Sequence, residues 1–266
     1  MDSGHIETNG QRLYYETSGE GYPLLLIMGL GGDLTGWWAQ TPAFEKHFQV
    51  IAFDNRDVGR SSLAKGPYTI KDMADDTIGL LDGLGVDKAH VLGVSMGGAI
   101  AQELALNYPE RVNKLILGCT MAQIARYRVS FVDSWKWVVQ HDKTGEGVPA
   151  TIIAWCMTHS FQQNAEAVDE MIEQMLNPPY PQTPEAYGRQ CDALSGFDAL
   201  DRLGNIQTST LVLVADQDLL TPPWLSRQLA EAIPGAQLKI IEGGSHCSFW
   251  EIPDTFNQAV LDFLLA

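Results

Sequence analysis

Residues 89–107 read Ala-His-Val-Leu-Gly-Val-Ser-Met-Gly-Gly-Ala-Ile-Ala-Gln-Glu-Leu-Ala-Leu-Asn. The first six form an apolar run short enough for a strand buried on both faces. The last twelve form an apolar helix, which Tyr108-Pro109 stops. Between them, Gly93-Val94-Ser95-Met96-Gly97 fits G-x-S-x-G, a strand-to-helix turn that holds a serine out on a strained backbone. The glycines are required because a side chain at either position would strike the neighbouring strand or helix. The motif alone is weak, and Ser95 could simply cap a helix. Its setting between a buried strand and an apolar helix is what gives it weight.

Outward from the elbow, the chain alternates. Asn9-Gly10 is a turn dipeptide joining strands at His5–Thr8 and Arg12–Glu16. Apolar runs at Tyr22–Met28, Gln49–Phe53, Val112–Cys119, Thr210–Ala215 and Gln237–Ile241 read as further strands. Helical spacing appears at 69–84, Pro223–Ala232 and Pro253–Leu265. Strands alternating with helices predict a mostly parallel sheet covered on both faces. Residues 121–195 break the alternation. They contain no convincing strand and read as helices near 127–141, 148–159, 164–177 and 184–195, with a Pro-rich break at 177–184. The predicted organisation is a core of 1–120 and 196–266 with a helical insertion at 121–195.

A serine hydroxyl needs an adjacent base, and the base needs an orienting acid. In a sheet of this kind both belong at the C-terminal ends of later strands. Thr210–Ala215 is followed by Asp216-Gln217-Asp218, and Gln237–Ile241 by Glu242-Gly243-Gly244-Ser245-His246. The other histidines, His5, His47, His90, His141 and His159, lack such a position. The order Ser…Asp…His is the one used by a single hydrolase fold.

With these residues in place, the chain resembles the α/β-hydrolase superfamily, in particular its small lidded serine esterases, enol-lactonases and cofactor-free haloperoxidase-like enzymes. The loop Asp54-Asn55-Arg56-Asp57-Val58-Gly59-Arg60-Ser61 resembles the family's D-x-R-G-x-G-x-S. Val214-Ala215-Asp216-Gln217-Asp218 resembles its G-x-x-D, with Ala215 at the glycine position, so the acid matches Asp218 rather than Asp216. Gly244-Ser245-His246 with Trp250-Glu251-Ile252-Pro253 resembles its G-x-H-x4-E-x-P. The resemblance implies an α/β-hydrolase fold with an inserted helical lid at 121–195. It implies a catalytic triad of Ser95, Asp218 and His246. It also implies an oxyanion hole built from the backbone N–H groups of Leu30 and Met96. Met28 stands where the family usually has histidine, and Asp57 where it has glycine. Arg56 beside Asp57 reads as a surface pair worth under ~1 kcal/mol. Trp37, Trp38, Trp135, Trp155 and Trp250, with Tyr127, Phe131 and Phe161, either line an apolar substrate pocket or pack the insertion on the core.

Composition narrows the partners. The chain has 266 residues, 45% hydrophobic and 19% charged, which excludes a disordered or fibrous protein. A net charge of −16 repels nucleic acid and anionic membranes. The four cysteines have no metal-ligand spacing and read as reduced, mostly buried thiols. Met1–Glu7 has neither a basic start nor an apolar run, and Leu24–Leu30 is about a third of a membrane span, which predicts a cytoplasmic protein. The expected activity is hydrolysis of small to medium carboxylic esters through an acyl-enzyme, with no metal and no organic cofactor. Lactone opening, C–C hydrolysis and peracid formation use the same triad and stay open. So does a ligand-sensing receptor with a slow triad. The oligomeric state is not readable.

Overall fold

The computed structural model describes residues 2–124 and 126–266, apart from the side chains of 126–128 and 130. The expected aromatic Tyr127 therefore lies outside the described side chains. Strands β1 (Asp2–Thr8), β2 (Gln11–Ser18), β3 (Pro23–Ile27), β4 (Gln49–Phe53), β5 (Ala89–Val94), β6 (Val112–Gly118), β7 (Ser209–Ala215) and β8 (Gln237–Ile241) form one eight-stranded sheet. Its order is β1-β2-β4-β3-β5-β6-β7-β8. Asn9 and Gly10 both have positive φ, 48° and 73°, as a tight hairpin turn demands, and they pair Thr8 with Gln11. β2 also pairs antiparallel with β4, and every later pairing is parallel.

Parallel pairing needs crossovers, and the helices supply them. They are α1 (Thr41–Phe44), α2 (Ile70–Gly83), α3 (Met96–Asn107), α4 (Arg126–His141), α5 (Gly147–Cys156), α6 (His159–Gln162), α7 (Ala165–Leu176), α8 (Pro184–Ser195), α9 (Pro223–Ala232), α10 (Ser248–Glu251) and α11 (Pro253–Leu265). Thr69 starts α2 with a reciprocal capping box to Asp72. The central strands are buried on both faces. In β3, Leu25 and Ile27 join the cluster under α2 and α3, while Leu24 and Leu26 join the one that holds Trp37, Phe44 and Phe256.

Helices α4 to α8 fill the space between β6 and β7 in sequence. The segment expected as one helix at 148–159 is broken. Met157 is extended, and the Thr158 side chain caps α6 by accepting from Phe161 N. The chain segments that flank this helical block are joined to each other. Ala199 N donates to Ala122 O at 2.9 Å, Ile124 N donates to Phe197 O at 3.1 Å, and Gln123 bridges Asp198. Among the described residues, no helix is long and apolar enough to cross a membrane.

Candidate active site

Ser95 stands between β5 and α3 at φ 55°, ψ −122°, a backbone that L-residues rarely adopt. The turn is tight enough that a Cβ on Gly93 would overlap Gly97 O, and one on Gly97 would overlap Ile27 O. Ser95 N donates to Gly118 O at 2.9 Å, and Thr120 Oγ1 donates to Ser95 O at 2.7 Å. Its backbone is therefore pinned to the end of β6. The residue keeps partial solvent access within a buried surround.

The loop after β3 lies directly against Ser95. A methyl group on Gly29 would stand 3.0 Å from Ser95 Cβ and 3.5 Å from its Oγ. Leu30 N–H is the next donor along, and Met96 N–H opens α3, where backbone donors have no intrahelical partner. Among the described residues, neither N–H meets a protein acceptor. Met28 braces this loop by packing: its buried thioether fills the space that side chains on Gly32 and Gly36 would need. Asp54 supports it from beneath, accepting from Leu34 N and Arg60 N, both at 2.8 Å.

Further across the sheet, Asp218 after β7 and His246 after β8 meet. His246 Nδ1 lies 3.0 Å from Asp218 Oδ2. Thr221 donates to the same carboxylate twice, from N and from Oγ1, each at 2.7 Å. Burial pushes the Asp218 carboxyl up, but the charge and hydrogen bond of His246 and the Thr221 donors outweigh it, and the net shift is downward. An ionised Asp218 favours the tautomer with the proton on Nδ1, in which Nε2 is the basic nitrogen. Asp216 is exposed and accepts from Gly243 N at 2.9 Å, turned away from the imidazole. Thr221 went unnoticed in the sequence, although an aspartate three residues before a threonine is a common local turn.

Cys119, Cys156 and Cys247 are buried free thiols beside this pair. Burial, and then the Asp218 charge, keep the Cys119 thiol protonated. Cys247 N donates to Cys156 O at 3.0 Å, joining the end of α5 to the loop that carries His246. Glu251 makes a second tie. One oxygen accepts from Ser245 N at 2.9 Å, and the other accepts from Thr158 N and Oγ1, each at 2.7 Å.

The expected surface pair Arg56–Asp57 does not exist. Asp57 has no solvent exposure and takes both arms of Arg189 from α8, at 2.6 and 2.9 Å. Arg56 points elsewhere and closes a buried pair with Asp76 at 2.6 Å. Asp57 sits at φ 70°.

The five tryptophans take different surroundings. Trp37 is fully buried in the core, 5.9 Å from the Phe249 ring. Trp38, one residue on, is 62% exposed. Trp250 donates Nε1 to Gly36 O at 2.7 Å and packs on Phe249. Trp135 and Trp155 flank Phe131 at 5.0 and 4.8 Å, and Trp155 is 42% exposed. Packing and surface positions account for Trp37 and Trp38, whose rings a short connection sends to opposite environments.

A strained serine elbow, an N–H-bearing loop against it and an Asp–His pair further across, all on a sheet of this order, define an α/β hydrolase. The chain belongs to that family: the family profile described as the alpha/beta hydrolase fold matches residues 22–253. A candidate carbamate hydrolase, RutD, of Azorhizobium caulinodans is 34% identical and covers 94% of each chain. The enol-lactonase of Burkholderia xenovorans LB400 superposes with a TM-score of 0.90 at 28% identity, over 99% of this chain and 100% of that one. A thermophilic esterase from Thermogutta terrifontis gives 0.87 at 28%, over 99% and 98%.

Proposed function

We propose that this chain is a carboxylesterase-type hydrolase that cleaves small to medium esters through an acyl-enzyme. Ser95 Oγ attacks the carbonyl carbon and His246 Nε2 takes its proton. Asp218 stabilises the imidazolium that forms. The N–H groups of Leu30 and Met96 hold the oxyanion. The imidazolium then protonates the leaving alcohol, and water activated by His246 releases the acid. The observation that carries this reading is the Asp218–His246 hydrogen bond at 3.0 Å, on the same end of the sheet as the strained Ser95.

Residues 121–195 act as a lid in this reading. In support, α8 touches the loops after β3 and β4, and the α5–α6 junction touches α10, beyond β8. The net charge of −16 favours small molecules over polyanions as partners. The named chemistries of the three relatives differ, but each breaks an acyl carbon–heteroatom bond. Lactone opening is the second reading, favoured by the likeness to the enol-lactonase along its whole length.

A panel of p-nitrophenyl esters and simple lactones tests both readings. Turnover of either class that is lost in Ser95→Ala supports the proposal. Tight ligand binding without turnover overturns it in favour of a receptor.

A further inference from the structure

Gln190 lies on α8, the last helix of the insertion. It has no solvent exposure, and its amide is used at both ends. Oε1 accepts from Gly31 N at 3.0 Å and from Gln182 Nε2 at 3.2 Å, and Nε2 donates to Arg56 O at 3.0 Å. Gly31 follows Leu30 directly. The peptide before Leu30 is held by Gly32 N donating to Gly29 O at 3.2 Å. The peptide after it is held by Gln190. With both flanking peptide planes fixed, Leu30 has little freedom left in φ and ψ, and the direction of its N–H is set.

The rest of α8 is arranged around this contact. Tyr187, one turn earlier on the same face, packs where a side chain on Gly31 would stand, 2.9 Å from its Cε2, and Gly31 takes φ 73° there. The Arg189 pair with Asp57 anchors the helix between them, and Gln182 Nε2 also donates to Asp57 O at 2.9 Å.

We infer that Gln190 is a positioning residue for the oxyanion donor: the insertion's last helix aims the Leu30 N–H at the reacting carbonyl. The inference rests on the ester-hydrolysis reading above. It separates α8 from the rest of the insertion, because α8 then acts on the rate of the chemical step as well as on selectivity. An oxyanion donor acts in the transition state more than in the ground state, so misaiming it lowers kcat and leaves KM nearly unchanged.

The test compares Gln190→Met, Gln190→Asn and Gln190→Glu with wild type on p-nitrophenyl butyrate. Methionine fills the space without hydrogen bonding, and asparagine is one methylene too short to reach Gly31 N. Both should lower kcat roughly 10- to 100-fold with KM within about threefold. Affinity for a trifluoromethyl ketone, which forms the oxyanion on Ser95, should fall by the same factor. Glutamate keeps the length and the acceptor and should recover part of the loss. If the methionine variant does not fold, the polar asparagine variant carries the comparison. Full kcat in a folded asparagine variant, or a change in KM alone, overturns the inference while leaving the reading intact. A wild type that neither turns over esters nor is labelled at Ser95 by a fluorophosphonate overturns both.

Discussion

Arg189 of α8 closes a two-armed ion pair on Asp57, a carboxylate that solvent does not reach. The pair joins a helix to a loop 132 residues away. Its halves are not equivalent: the Arg189 side chain is 25% exposed and that of Asp57 is not exposed at all. Removing the arginine leaves a buried charge with few partners, whereas removing the aspartate frees a cation that can reach water.

Arg189→Met should therefore destabilise the protein by about 3 kcal/mol or more. Asp57→Gly should cost less, because it removes the buried charge and also relieves a non-glycine φ of 70°. Urea unfolding of the two variants measures the difference. Equal losses would contradict the asymmetry between the buried carboxylate and the partly exposed guanidinium.

Asp218→Asn should cost far more ester turnover than Asp216→Asn. Of the two aspartates it is Asp218 that meets His246 Nδ1, and an asparagine there favours the wrong tautomer. Asp216 accepts one loop N–H, so its loss should leave kcat within about threefold of wild type. A reversed order in kcat/KM would reassign the acid.

His90 makes stability depend on pH. Burial, and then the Lys114 charge, lower its pKa from 6.5 to about 4. Its ring lies against Tyr22 and Phe48, and its buried Nδ1 has no hydrogen-bond partner among the described residues. Between pH 6.5 and about 4 the unfolded chain takes up a proton that the folded chain refuses, so stability falls as pH falls through this window. His90→Phe should remove that contribution. The variant should gain on wild type at pH 5 relative to pH 7.5 in urea titrations. A constant gap between the two proteins at both pH values would assign the acid sensitivity to other groups.

Much of the fold was legible because its signals are local. The elbow at Ser95, the turn at Asn9-Gly10 and the acid and histidine after β7 and β8 are short strings whose meaning depends on the strand beside them. The Asp57–Arg189 pair and the Gln190 contacts were not legible. The ion pair, and the Gln190 bonds to Gly31 and Arg56, join residues more than a hundred positions apart, and a lone aspartate beside an arginine reads as a surface pair. The surroundings of the tryptophans were not legible for a related reason. Aromatic character marks a side chain for burial or contact, but it does not say against what, and Trp37 and Trp38 ended in the core and in solvent.

The central claim is that Ser95 is the nucleophile, and Ser95→Ala tests it most directly. Alanine removes one oxygen from a turn whose backbone is held by Gly118 and Thr120, so the fold should survive, as circular dichroism and thermal unfolding would verify. The measurement is kcat/KM for p-nitrophenyl butyrate in the two proteins. The expected loss is on the order of 10^4-fold or more. A folded Ser95→Ala protein that kept a tenth of wild-type activity would contradict the account.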